Sequence, residues 1–405
     1  MDSNISAQDL RSGRSVWEKQ TADLPVGRKP AASFRTDIIV IGAGITGSFI
    51  AEQLSRTGRE VTVLDGHAPQ RGSTAASTAL LLWELDAPLI ELESTLGFGR
   101  AAEVYRYSFA TVQRLLALTA ELAIPCDAVA CPSVYLAGDR LDSAGLREEH
   151  DIRRKADLPG AYLDRARLLN RFGFDRPAAL VSPAAGEVDP MALAAGLLAI
   201  ASARGAQVYS PVRVVDHDAS ASGVTVKLDS GLEIAGRALV LATGYEMPTF
   251  VPAHRHRINS TWVMCTVPQS TPWPDHAVIW EASRIYTYLR STPVGGIIVG
   301  GEDESLSDPQ QREALSAAKT AALRRRLAEL APRANTNVAA AWSGLFGETN
   351  DSLPLIGPVP GWPGCFAAYG YGGNGLTFSA MAAEMLGQFV AGGRHWAQDM
   401  FALDR

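Results

Sequence analysis

The run Asp37-Ile-Ile-Val-Ile-Gly42-Ala-Gly44-Ile-Thr-Gly47, then apolar residues at helical spacing, then Val61-Thr-Val-Leu-Asp65, constrains the fold more than any other part of the chain. It spells strand, tight turn, helix and a second strand ending on a carboxylate. Gly42 permits the turn, Gly44 lets the backbone approach a pyrophosphate, and Gly47 lets the helix lie close on the sheet. Ile45 and Thr46 fall in the first helical turn, where free N–H groups and the positive dipole end face phosphate. Asp65, eighteen residues beyond Gly47, can accept hydrogen bonds from both hydroxyls of a ribose and would repel a 2′-phosphate. The unit therefore reads as a dinucleotide site. Three glycines alone are a weak signal. Here residues 38–41 have the apolar character of a buried parallel strand, Phe49, Ile50 and Leu54 share a helix face, and Gly58 stops that helix. This context weighs against a glycine-rich turn in an unrelated α/β sheet.

At 405 residues the chain is long enough for two or three domains. Its 37 Lys and Arg against 43 Asp and Glu give a net charge of −6, so it offers no basic surface to nucleic acid or an anionic membrane. Cys126, Cys131, Cys265 and Cys365 match neither a redox nor a zinc spacing and are expected to be reduced thiols. Residues 1–30 lack the apolar core of a signal peptide, and no run reaches the roughly 18 apolar residues of a membrane span. The expectation is a cytoplasmic protein with no integral membrane segment.

Residues 1–33 read as an extension without periodicity, although Val16-Trp17 could dock on the body. The turn-rich stretch after Asp65, with Gly66, Arg71, Ser73, Ser77 and Thr78, suits a loop lying on a cofactor. Residues 87–122 read as helical, and 134–137 and 179–182 as strands of another sheet around a charged helix at 147–155. Asp189-Pro190 is a good start for an apolar helix over 191–203. Residues 207–214 read as one strand, followed by a hairpin and by Ala238-Leu-Val-Leu-Ala-Thr243-Gly244, a buried strand ending in a small turn. That strand, returning so late in the chain, fits a flavin-binding sheet. Between 252 and 333 the alternation is that of antiparallel strands, with a helix at 308–330. Tyr369-Gly-Tyr-Gly-Gly-Asn-Gly375-Leu-Thr-Phe378 then opens a last helix on a second glycine loop.

Taken in this order, the segments resemble the glycine oxidase and D-amino acid oxidase family of flavoproteins, which includes monomeric sarcosine oxidase. The resemblance rests on Gly42 to Gly47 with Asp65, on Gly186-Glu-Val-Asp-Pro190, on Ala242-Thr-Gly-Tyr245, and on Tyr286-Thr-Tyr-Leu-Arg290 with Val299-Gly-Gly-Glu302. Leu353-Pro-Leu-Ile-Gly357 before Gly370-Tyr-Gly-Gly-Asn-Gly375 completes it. Ser15-Val-Trp17 and residues 73–78 are most similar to the gamma-glutamylputrescine oxidase-like branch. The resemblance implies an α/β plus α+β protein, a discontinuous Rossmann-like FAD-binding domain with an antiparallel-sheet substrate domain. The boundaries expected are 1–33 for the extension, 34–125, 186–250 and 338–405 for the FAD-binding domain, and 126–185 and 251–337 for the substrate domain.

The resemblance further implies that Gly42, Gly44 and Gly47 hold the pyrophosphate of FAD, Asp65 the adenosine ribose and Val214 the adenine through its backbone. Ser77 and Thr78 would lie near the ring, while Gly372, Gly373, Asn374, Gly375, Leu376 and Thr377 would face the edge that gains negative charge on reduction. The covalent flavin cysteine of sarcosine oxidase aligns with Gly344, so the FAD is expected to be noncovalent. The carboxylate-binding arginine of glycine oxidase aligns with Phe346, and the lysine doing that work in sarcosine oxidase with Thr377. The lysine that activates oxygen aligns with Ile298. This favours an amine, a polyamine derivative, or an acid held by another cation such as Arg290 or Arg284.

The chemistry expected is loss of a hydride equivalent from a C–H bond next to an amine nitrogen, with oxygen or another electron acceptor reoxidising the flavin. Trp83, Tyr286, Tyr288, Arg290, Tyr371, Asn374 and Thr377 are pocket candidates, though the aromatic ones could equally be core. His254-x-His256 is too thin for a metal site, and none is expected. Glu84 and Asp86 read as a solvated strand edge rather than paired acids. Two other readings stay open: a nicotinamide-linked dehydrogenase, and a flavoprotein subunit or scaffold that turns over no substrate of its own.

Overall fold

The computed structural model describes residues 10–19, 28–252 and 255–405. Strands without a polar face must be covered on both sides. Ile38–Ile41 pairs in parallel with Val61–Leu64 on one side and with Ala238–Leu241 on the other. These strands form the middle of a six-stranded sheet ordered Leu355–Pro358, Cys365–Tyr369, Ala238–Leu241, Ile38–Ile41, Val61–Leu64, Gln207–Tyr209. All are parallel except the first.

Side chains alternate across a strand, and the two faces enter two cores. Ile38, Val40, Val61, Val63 and Val240 join the helices, including Phe49, Ile50 and Leu54 of the helix Ile45–Ser55. Ile39, Leu64, Leu239 and Leu241 pack on Val224, Val226 and Leu228 of a separate four-stranded sheet. Ile45–Ser55 lies against both Pro190–Ala203 and Gly375–Val390. The helix Pro190–Ala203 starts as expected: Asp189 accepts from the Met191 and Ala192 N–H groups at 2.9 Å each, and proline takes the first position.

The third sheet has ten strands, mostly antiparallel, and carries the helix Pro309–Leu330. Leu323, Leu327 and Leu330 of that helix share a core with Trp262, Leu289 and Val299 of the sheet.

The structure departs from the sequence reading in several places. Residues 87–122 hold two helices, Leu89–Leu96 and Phe98–Glu121, separated by Gly97. Residues 207–214 are not one strand: Gln207–Tyr209 ends in the six-stranded sheet and Val214–Ser220 begins in the four-stranded one. The extension contains Arg11–Gly13, which pairs antiparallel with Val338–Thr349 at the edge of the ten-stranded sheet. Here the docking of Val16-Trp17 is as expected: Trp17 is buried, and its Nε1–H donates to the Ser77 carbonyl at 2.7 Å. Val338–Thr349, within the segment expected to return to the dinucleotide domain, pairs along its length with His256–Thr266. Apolar alternation marks a strand but does not say which sheet it joins. Among the described residues no helix is long and apolar enough to cross a membrane.

Candidate active site

One cavity runs from Asp65 to an aromatic end at Tyr286 and Tyr288. At its first end Gly42 has φ +107°, and a Cβ there would run into the Ala242 carbonyl. A Cβ on Gly47 would strike the Gly42 carbonyl oxygen, so Gly47 seats the helix on the turn from outside the cavity wall. Gly44, Ile45 and Thr46 line the cavity, and the Ile45 N–H donates to Thr74 Oγ1 at 2.9 Å. That bond brings in the loop after Asp65, of which Gly66, Arg71, Ser73, Ser77 and Thr78 line the wall. Thr243 and Gly244, at the end of the returning strand, complete this side.

Asp65 accepts from the Ala43 N–H at 2.7 Å and the His67 N–H at 2.8 Å. Burial pushes its carboxyl up, against those two N–H groups. Val214 is not part of the wall. The strand break after Tyr209 puts Val212, not Val214, beside the carboxylate segment, with its N–H on the Asp65 carbonyl at 2.7 Å.

The second glycine loop reaches the same cavity. Gly372, with φ +55°, donates its N–H to the Gly347 carbonyl at 2.8 Å, and Asn374 immediately precedes the helix Gly375–Val390 without a side-chain bond to it. The first N–H groups of that helix have no acceptor within it, and Gly372, Gly373, Asn374, Gly375 and Leu376 line the wall shared with Gly44. Thr377 does not: its Oγ1 donates to the Leu82 carbonyl at 2.8 Å, and 1% of its surface is exposed.

At the far end Tyr286 and Tyr288 lie 5.8 Å apart between ring centroids, tilted by 34°. Trp280, Thr261, Phe346 and Tyr371 also line it. Tyr288 lies across Gly300, where any Cβ would enter its ring. Asp303 sits behind Tyr286 and Thr261 and accepts from both, while burial pushes its carboxyl up to about 6. Burial raises the Tyr371 phenol as well.

Five further residues require correction. Arg290 is absent from the wall: its Nη1 donates to the carbonyls of Thr78, Ala79 and Val188 at 2.9–3.1 Å, and its Nε lies 3.1 Å from Glu187 Oε2. It braces the backbone. Arg284 is exposed and off the wall. Trp83 is core, edge-on to Phe109 at 5.3 Å, with its indole N–H on the Pro183 carbonyl. Glu84 and Asp86, read as a solvated edge, instead line the cavity, with Glu84 1% exposed. The alternation Leu82, Glu84, Asp86 against Leu81, Trp83, Leu85 was visible; that its polar face meets a cavity was not.

Ile298 is buried beside Trp17 and Val263, away from the wall. Among the described residues no group of three His, Cys, Asp or Glu could hold a metal ion; His254 lies outside them.

A glycine turn, a ribose-side carboxylate and a second helix start on one cavity define a dinucleotide-dependent oxidoreductase. The chain belongs to the FAD-dependent oxidoreductase family DAO, whose profile matches residues 37–389, and FAD is its cofactor. It is 25% identical over 95% of its length to a probable oxidoreductase OrdL of Rhizobium meliloti, spanning 89% of that protein. It is also 24% identical to the oxidoreductase YurR of Bacillus subtilis, over 87% of this chain and 94% of that one. In fold it matches the crystal structure of glycine oxidase from Geobacillus kaustophilus, with a TM-score of 0.77 at 20% identity over 92% of this chain and 99% of that one.

Proposed function

We propose that the protein oxidises a carbon–nitrogen single bond of a small amine or amino acid derivative to an imine, which water hydrolyses, with oxygen or another acceptor finally taking the electrons. The observation that carries this reading is the continuity of one cavity from Asp65, past the start of Gly375–Val390, to the aromatic end. Bound FAD supplies the acceptor for the hydride that leaves the carbon next to nitrogen.

The chain's own residues do the rest. The turn at Gly42 and Gly44, with Asp65 and the loop to Thr78, holds the dinucleotide. The N–H groups opening Gly375–Val390 face the negative charge that reduction creates. Tyr286, Tyr288, Tyr371 and Phe346 exclude water and orient the carbon to be oxidised, and Asn374 fixes the segment 82–86 opposite. The FAD is held without a covalent bond: a side chain at Gly344 would meet the Ala76 Cβ at 2.7 Å, and none of the four cysteines lines the cavity.

The test is an anaerobic screen of amines and amino acids against the yellow protein, following loss of flavin colour. Bleaching by at least one is expected, with peroxide release in air separating an oxidase from a dehydrogenase. Yellow protein that none of them bleaches would instead mark an electron-transfer component or scaffold.

A further inference from the structure

We infer that residues 10–18 of the N-terminal extension are part of the FAD site, pinning the loop 71–78 from behind and closing the wall beside it with Leu10. The inference rests on the reading above in which that loop holds the dinucleotide, and adds to it a segment that lies ahead of the strand–turn–helix unit.

The loop has little structure of its own. Between the strands Val61–Leu64 and Leu80–Leu81 its one regular element is the short helix Ser73–Ala76, yet residues 70–74 and 76–79 line the cavity. Side chains from elsewhere in the chain hold its carbonyls. Arg11 Nε donates to the Arg71 carbonyl at 2.9 Å and Trp17 Nε1 to that of Ser77 at 2.7 Å. Trp342 Nε1 takes the Ala76 carbonyl at 2.9 Å, and Arg290 Nη1 that of Thr78 at 3.0 Å. The extension thus supplies a donor near each end of the loop.

Those two donors act together. Glu18 Oε1 accepts from Arg11 Nη1 at 2.6 Å and from the Ser15 N–H at 3.2 Å, while its Oε2 lies 3.4 Å from Nη1 of Arg71, a residue of the wall. Trp17 packs with Ala75, Ala76 and Trp342, and the Arg290 guanidinium stands over its ring, 5.3 Å from the centroid. Trp17 and Arg290 therefore fix the adjacent carbonyls of residues 77 and 78 while touching each other.

The segment is anchored as well. Arg11–Gly13 pairs with residues 342–344, and the Leu10 carbonyl accepts from the Leu345 N–H at 2.9 Å. Leu10 itself reaches the cavity wall, buried against Gly72, where a Cβ would come within 3.2 Å of its Cδ1.

A loop already fixed in its bound shape need not be ordered by the ligand, so the ligand binds more tightly. The coupling is reciprocal. Whatever residues 10–18 add to FAD affinity, bound FAD returns as resistance of that segment to opening.

The test pairs hydrogen exchange of the full-length protein with and without FAD, read at 10–18 and 68–80, with FAD titration of the folded apoprotein followed by flavin fluorescence. Slower exchange in both stretches is expected when FAD is bound. Trp17→Phe keeps a ring beneath Arg290 and removes the N–H from the Ser77 carbonyl, and is expected to raise the FAD Kd about 10-fold. Arg11→Ala should move it the same way, and it decides the matter if Trp17→Phe does not fold. A segment that only stabilises would lower Tm and leave the Kd unchanged. That result, or protection of 68–80 alone, overturns the clasp and leaves the cofactor reading standing. Failure of FAD to protect either stretch removes both.

Discussion

The Asn374 Nδ2 donates to the Glu84 carbonyl at 2.8 Å, tying the start of the closing helix to the segment 82–86, which lines the same cavity. Its Oδ1 accepts from the Asp86 N–H at 3.2 Å. Asn374→Ala removes both bonds from a buried site, which costs about 1–3 kcal/mol. A lower Tm is expected together with weaker FAD binding, because the wall segment 82–86 loses its register against the helix. A variant with reduced Tm and unaltered flavin content would show that the clamp only stabilises.

Gly47→Ala drives a methyl group into the Gly42 carbonyl, and the turn and helix must separate. Such overpacking costs about 1–3 kcal/mol or more. The variant is expected to purify with little flavin absorbance per protein, recovering at most part of it with excess FAD. Full flavin content would show that the turn tolerates the shift.

Arg290→Ala leaves Glu187 buried without its cation and takes a donor from the carbonyls of Thr78, Ala79 and Val188. Breaking a buried pair in this way costs about 3–5 kcal/mol. A large fall in Tm with loss of FAD is expected, since Thr78 belongs to the cavity wall. A residue anchoring substrate would behave differently, raising KM at unchanged Tm.

Asp86 sets a dependence on pH. Burial pushes its carboxyl up to about 6 from 3.8; the Gly373 N–H and Arg140 oppose that shift and Glu348 adds to it. The folded state therefore holds the proton more tightly than the unfolded chain. The resulting penalty is absent below about pH 4, grows between pH 4 and 6, and is fully present above. Asp86→Asn removes it, so a gain of roughly 1–3 kcal/mol at pH 7.5 is expected, reduced by the weaker bond to Gly373 and shrinking towards pH 5. Tm measured across that range on the holoenzyme checks the sign, and no gain at pH 7.5 would contradict it.

The dinucleotide unit was legible because each of its requirements is local: a residue period, three glycines and a carboxylate within one strand–helix–strand stretch. The second glycine loop was legible for the same reason, as a helix start. Where the two meet depends on the parallel pairing of Ile38–Ile41 with Ala238–Leu241, which no local pattern states. Glu84 and Asp86 were misread because their two-residue spacing suggested a solvated strand edge, whereas the strand ends at Leu81 and the segment beyond it runs along the cavity. The wall opposite them comes from Gly373 and Asn374, distant in the chain. Arg290 was misread because a lone cation near an expected pocket has the same sequence signature whether it points at substrate or at backbone carbonyls. Residues 207–214 were read as one strand because a strand ending at Tyr209 and another beginning at Val214 look continuous in hydropathy.

The order of strands in the parallel sheet also bears on how the protein matures in the cell. During synthesis Ile38–Ile41 leaves the ribosome long before its neighbour Ala238–Leu241, and the helix Gly375–Val390 that closes the cofactor chamber follows later still. A nascent chain therefore carries half a chamber with its apolar walls uncovered. Enclosure of FAD waits until Gly375–Val390 has been made.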